Sequence, residues 1–131
     1  YNFTRCLKHG EPEAAQLAVH EFVNSAMKCF FLLKGQYMPF YKWSFRALRQ
    51  LDGAAGFAEN LSFLLSGDNR SDVVSRKKSD IIEEVSSAVI GILQRRGITR
   101  ETCADLERHA YSVNDAISDS TIRNMHILEA I

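Results

Sequence analysis

Five cations stand in one stretch of this chain without a single acid. Between Phe22 and Leu51 the sequence carries Lys28, Lys34, Lys42, Arg46 and Arg49 and no Asp or Glu, a local charge of five positive. Lys42, Arg46 and Arg49 sit at i, i+4 and i+7, so on a helix they fall on one stripe. Tyr37, Tyr41 and Trp43 lie close by. Such a block suits an anion site: guanidinium and ammonium groups receive phosphate oxygens, and an aromatic ring stacks on a base. It also suits the solvated back of an amphipathic helix with its aromatics turned into the core, which is the default for a surface helix. Trp43, a single large aromatic within a bundle helix, is expected to pack in the core.

A second set lies on the helix before it. Glu21, Asn24 and Lys28 share a face opposite the apolar stripe, bordered by Leu17, Met27 and Phe31. Apolar surface of that extent fits contact with a partner domain, a second subunit or a ligand. It equally fits a central helix buried on most of its sides. Leu17, Glu21, Asn24 and Phe31 are therefore the candidate contact residues, with a homodimer as one version.

Familiar catalytic patterns are missing. Neither G-x-G-x-x-G nor G-x-x-x-x-G-K-[ST] occurs, so neither common phosphate loop is encoded. His9, His20, His109 and His126 never stand four apart, and none follows a glutamate by three residues, which removes the di-iron carboxylate bundle. There is no H-E-x-x-H, no Cys/His zinc pattern and no G-x-S-x-G. His109 and His126 read as packed or hydrogen-bonded, and Glu107–His109 as surface charge. The run Arg76, Lys77, Lys78 followed by Asp80, Glu83 and Glu84 suits i, i+4 pairing on an exposed helix, such as Arg76 with Asp80. No catalytic residue and no metal ligand is assigned.

Helices position all of these residues. Asn2–Lys8 reads as a short helix stopped by Gly10. Pro12 opens a long one, with Glu11 and Glu13 favourable at its positive end. Through Lys34 its apolar face is Ala15, Ala18, Val19, Phe22, Ala26, Cys29, Phe30 and Leu33, and Gly35 ends it. Pro39 reads as a first-turn proline for a helix over Phe40–Leu51, with Phe40, Tyr41, Ser44, Ala47, Leu48 and Leu51 inward. Phe57–Leu65 is a shorter helix. Asp68–Ser71 can cap a long one in which Val74, Ile81, Val85, Ala88, Val89, Ile92 and Leu93 keep helical spacing up to Gly97. Thr99 can cap a helix carrying Cys103, Leu106, Ala110, Val113 and Ile117. Asp119 or Ser120 can cap a last one with Ile122, Met125 and Leu128. The fold class expected is all-α, an antiparallel bundle of about five to six helices.

Composition fits a single domain over 1–131. The 131 residues are 46% hydrophobic and 24% charged, a globular balance. The 16 bases and 16 acids cancel, which speaks against bulk nucleic-acid binding. Neutrality is a sum of unlike parts, because residues 1–21 are net one negative and residues 52–131 net four negative. Cys6, Cys29 and Cys103 are odd in number and widely spaced, so free thiols in a reducing cytoplasm are expected. The longest apolar run, Cys29–Leu33, is far too short for a membrane span. A chain opening on Tyr1 rather than Met reads as a piece of a longer protein.

Tyr1–Gly10 reads Y-N-F-T-R-C-L-K-H-G, and Ala14–Leu51 holds A-A-Q-L-A-V-H-E-F-V and then F-F-L-L-K-G-Q-Y-M-P-F-Y-K-W-S-F-R-A-L. Together they resemble the C-terminal helical region of a bacterial family of unknown function with an N-terminal nucleotidyltransferase-like domain. Tyr37–Trp43 is the most specific part, and the resemblance weakens after Gly53. It implies a fold like the substrate-binding helical domain of kanamycin nucleotidyltransferase and the wider HEPN group. In such proteins the bundle packs on the catalytic domain and helps form the ligand cleft. The G-S motif and paired aspartates that hold magnesium there have no counterpart here: the chain has no Gly-Ser dipeptide and no D-x-D. The resemblance thus implies an accessory domain without cofactors of its own. Magnesium and a nucleotide belong to the parent protein, and Lys28, Tyr41, Lys42, Arg46 and Arg49 to the ligand face. HEPN ribonucleases separate an arginine and a histidine by four to six residues. Arg5 and His9, and Arg123 and His126, stand too close, and Arg100 and His109 too far apart, which argues against that activity. The other classes left open are a non-catalytic dimerisation or protein-interaction domain and, behind it, a helical RNA-binding or RNase-like domain, which would bind RNA in a salt-sensitive way.

Overall fold

A computed structural model describes residues 1–125. Among them the chain forms seven helices and no strand. The all-helical class is as expected, and the number exceeds the five to six expected because the short helices Asn2–Lys8 and Ser120–Arg123 stand as separate elements. Two compact units divide it, Tyr1–Val85 and Ser86–Ile131.

The first unit starts with α1 (Asn2–Lys8) and α2 (Pro12–Leu33). Pro12 occupies the first turn of α2, where its missing N–H would have no partner and its fixed φ suits the helix. Gly35 ends α2 with φ +70°, a left-handed turn that glycine enters without steric cost. Residues 36–40 carry no regular structure before α3 (Tyr41–Gln50). Pro39 lies ahead of that helix rather than in its first turn. Phe40, at ψ 143°, is still extended and acts as the N-cap. α4 (Ala55–Ser66) and the N-terminal part of α5 (Asp72–Arg95) complete the unit. Ser71 Oγ accepts from Val74 N at 3.4 Å at the start of α5, as the capping run foretold.

α2 packs against α1, α3 and α4, and α3 against α4. That number of neighbours decides which faces of α2 are inside. Val23, Met27 and Phe31 join Ala15, Val19, Ala26 and Phe30 in the core, while Ala18, Phe22, Cys29 and Leu33 are only half-buried. The expected stripe is thus widened toward Val23, Met27 and Phe31. Phe30 stacks on Phe57 of α4 with ring centroids 4.5 Å apart. Leu48, Ala54, Ala58, Leu61, Leu64, Ile81 and Val85 close the core from the other helices. Burying a side chain such as Phe31 contributes about 1.5–3 kcal/mol. The packing is consistent with a helical bundle.

In the second unit α5 runs on to Arg95, and Gly97 turns the chain. α6 (Leu106–Asp115) and α7 (Ser120–Arg123) follow. Thr99 does not cap α6. Asp105 does, its carboxylate accepting from Glu107 N at 2.9 Å, and Asp119 caps α7 in the same way. Thr99 is instead buried against His109. Its hydroxyl lies 2.9 Å from His109 Nδ1, and His109 Nε2 lies 2.8 Å from the Cys103 carbonyl. A carbonyl only accepts, so Nε2 carries the proton and Nδ1 accepts from the Thr99 hydroxyl. His109 is the packed, hydrogen-bonded histidine expected. The readings for His126 and Leu128 fall outside the described residues. No helix among the described residues is long and apolar enough to cross a membrane.

Candidate functional site

α3 presents two opposite faces. Ser44 and Leu48 are buried, with Ser44 Oγ donating to the Tyr41 carbonyl at 2.9 Å. Lys42, Arg46 and Arg49 are exposed. Arg49 lies over the Phe45 ring, 5.6 Å from its centroid, and Lys34 lies over Phe30 at 5.6 Å. Among the described residues the ion pairs are those of Arg70 with Glu13 and Asp68. None of the five cations of the acid-free segment therefore forms an ion pair with a carboxylate among the described residues. Lys28 is exposed on α2, and no hydrogen bond or ion pair joins it to the α3 stripe.

The aromatics do not follow the inward expectation. Trp43 is 54% exposed, Phe40 58% and Tyr41 69%. Trp43 is thus no core residue, and Phe40 and Tyr41 are not part of the inner side. Their position explains this: they occupy the N-cap and first turn of a ten-residue helix, and the buried contacts of that helix begin at Ser44. Phe40 meets both other rings. Phe40 lies 4.5 Å from Tyr41 and 6.1 Å from Trp43 between centroids, tilted by 52° and 58°, within the range of favourable aromatic pairs. The result is a group of exposed rings at the N-terminal end of α3, the helix that also exposes Lys42 and Arg46.

The second candidate set comes apart. Leu17 and Glu21 are exposed and Asn24 is half-buried, but Phe31 is 1% exposed and Met27 is buried as well. Phe31 is a core residue of α2 and is not available to a partner. Glu21 lines a cleft of about 470 Å³ with Tyr1, Phe3, Phe22, Ser25 and Ile82.

A polar group that the charge pattern hid is Lys78. It is wholly buried. Its Nζ donates to Gln16 Oε1 at 2.8 Å and to Asn69 Oδ1 at 2.7 Å. Asn69 Nδ2 donates in turn to the Pro12 carbonyl at 3.0 Å and to Gln16 Oε1 at 3.1 Å. This network ties the start of α2 to the loop before α5. Burial holds the Lys78 ammonium below its ordinary pKa, with the Asp68 carboxylate opposing the shift. Gly67 makes room for it: a Cβ there would lie 2.9 Å from Lys78 Cε and 2.7 Å from Val74 Cγ1. The run Arg76–Lys78 is therefore not one exposed charge cluster, and Arg76 and Asp80 form no ion pair. Lys77 instead lies over the Phe63 ring at 4.4 Å. The missed signal was spacing, since Val74, Lys78, Ile81 and Val85 share the inner face of α5.

Burial also raises the pKa of the Cys29 thiol, so it stays protonated. The cysteines among the described residues are all free. No group of three or more His, Cys, Asp or Glu among the described residues comes together to hold a metal ion.

Residues 1–44 match a family model described as Domain of unknown function (DUF4037). That span covers α1, α2 and the first turn of α3, with Lys28, Tyr41 and Lys42. It stops short of Arg46 and Arg49. No curated protein and no solved structure matches the chain.

Proposed function

We propose that this chain is an accessory, non-catalytic helical domain of a nucleotidyltransferase-like protein, and that the outer face of α3 contacts the phosphate-bearing ligand. One observation supports the reading above others: Lys42 and Arg46 are exposed and outside any ion pair among the described residues, on the helix that also exposes the Tyr41 ring. Cations without acidic neighbours keep their attraction for phosphate, and an accessible ring adds stacking. Tyr37–Trp43, where the resemblance is most specific, runs directly into this face. Arg49 is drawn over Phe45 on the same helix, and Lys28 is an exposed cation of α2.

In this reading the partner is a catalytic domain on the N-terminal side of the same chain. That domain would hold magnesium and the reacting phosphate, and α3 would orient the nucleotide or small-molecule substrate. The test is a thermal-shift series on the parent protein with nucleoside triphosphates and magnesium. Specific binding raises the apparent Tm through mass action, by about 2.7 kcal/mol of added stability at a hundredfold excess over Kd. The rise should shrink in Lys42→Ala and in Arg46→Ala. No rise with any nucleotide contradicts the proposal.

A further inference from the structure

Phosphate contact accounts for the cations of α3 but not for its rings. Among the large hydrophobic side chains left exposed, Tyr37, Phe40, Tyr41 and Trp43 fall within one short stretch, and all are aromatic. The exposed aliphatics Leu17, Leu32, Val73, Leu106 and Ile122 are scattered along the rest of the chain. Exposed rings alone suit a protein or a nucleic-acid partner, so the charge beside them decides between occupants. That charge is purely positive, from Lys42 and Arg46, which selects an anion as occupant.

Shape narrows the ligand further. Phe40, Tyr41 and Trp43 are each more than half exposed, so none of the three rings sits in an enclosed pocket. A small molecule needs a concave site that covers most of its surface, and on this open face the catalytic domain of the parent protein would have to supply the remaining walls. A strand needs only ring faces and cations set along a surface, and every base offers a π-face. Phe40 touches both neighbouring rings, 4.5 Å from Tyr41 and 6.1 Å from Trp43, and so holds them in place.

We propose that this face binds an unpaired polynucleotide strand, with bases stacked on Tyr41 and Trp43 and phosphates on Lys42 and Arg46. The proposal rests on α3 being the ligand face and names the class of ligand. Whole-chain neutrality bears on binding to the bulk surface, whereas this site uses an acid-free segment of five cations. Two phosphate contacts give a shallow salt dependence, a slope of about −1.4 in log Kobs against log salt for a single strand.

Trp43 is the sole tryptophan, so its emission reports the site directly. The chain is titrated with a single-stranded oligonucleotide of about 12 nucleotides, a length within the usual span of such sites. The comparison probes are the matching duplex, inorganic polyphosphate and a glutamate-rich peptide. The single strand should quench Trp43 and bind about tenfold more tightly than any comparison probe. Tyr41→Ala, at an exposed position, should keep the thermal melt and weaken the strand about tenfold. Lys42→Ala should reduce the salt slope by about 0.7. Equal binding of polyphosphate or of the acidic peptide, an absence of quenching, or an unchanged Tyr41→Ala variant overturns the proposal. A parent protein whose nucleotide affinity still falls in Lys42→Ala would then keep the ligand-face reading and lose only the strand.

Discussion

Lys78 carries an ammonium into a site that water does not reach, and it has amide oxygens rather than a carboxylate as its hydrogen-bond partners. Charged donors to neutral acceptors are stronger than neutral pairs, but they do not repay the whole cost of burial, hence the lowered pKa. The consequence for stability has a definite sign. Between the lowered folded-state pKa and the ordinary 10.5, the unfolded chain binds more protons than the folded one, so stability rises with pH through that window. Lys78→Met removes the titration. Urea denaturation across the alkaline range should show the native chain gaining stability relative to Lys78→Met as pH climbs, and parallel curves would contradict the assignment. Nothing in the composition of Arg76–Lys78 announces this. Its position on the inner face of α5 does, had spacing been weighed above charge.

At the scale of the element, α2 and α3 were legible to different degrees. The bounds of α1 and the start and end of α2 follow from Gly10, Pro12 and Gly35, because those residues act through local backbone geometry alone. Which side of α2 is inside depends on how many helices surround it, and that is a tertiary fact. Hence Phe31, whose spacing alone fits a contact face, is core. Phe31→Ala should cost about 3–5 kcal/mol in chemical denaturation, while Leu17→Ala, at an exposed position, should stay within about 0.5 kcal/mol. A Phe31→Ala variant of native stability would return that side chain to the surface. On α3 the outward stripe of Lys42, Arg46 and Arg49 was legible from its i, i+4, i+7 spacing. The exposure of Trp43 was not, because residue type favours burial and only the position of Trp43 in the first turn, ahead of the buried contacts that begin at Ser44, overrides it. Thr99 failed as a cap for a comparable reason: its hydroxyl is taken by His109, ten residues on, in a stretch with no periodicity to read.

For the whole molecule the useful quantity is not net charge but its distribution. A neutral total hides a segment with five cations and no acid, flanked by acidic ends. The structure keeps the α3 members of that segment at the surface and outside any ion pair among the described residues, and it adds a cluster of exposed rings at the N-terminal end of the same helix. The all-helical class followed directly from sequence, as did the stripe; the ring cluster and the buried lysine required the fold. The central claim is that the outer face of α3 meets the ligand. Isothermal calorimetry on the parent protein with a magnesium-nucleoside triphosphate tests it most directly. Lys42→Ala and Arg46→Ala should each weaken binding by about tenfold, the equivalent of about 1.4 kcal/mol, with the thermal melt of the unliganded protein unchanged. Native affinity in both variants would contradict the account.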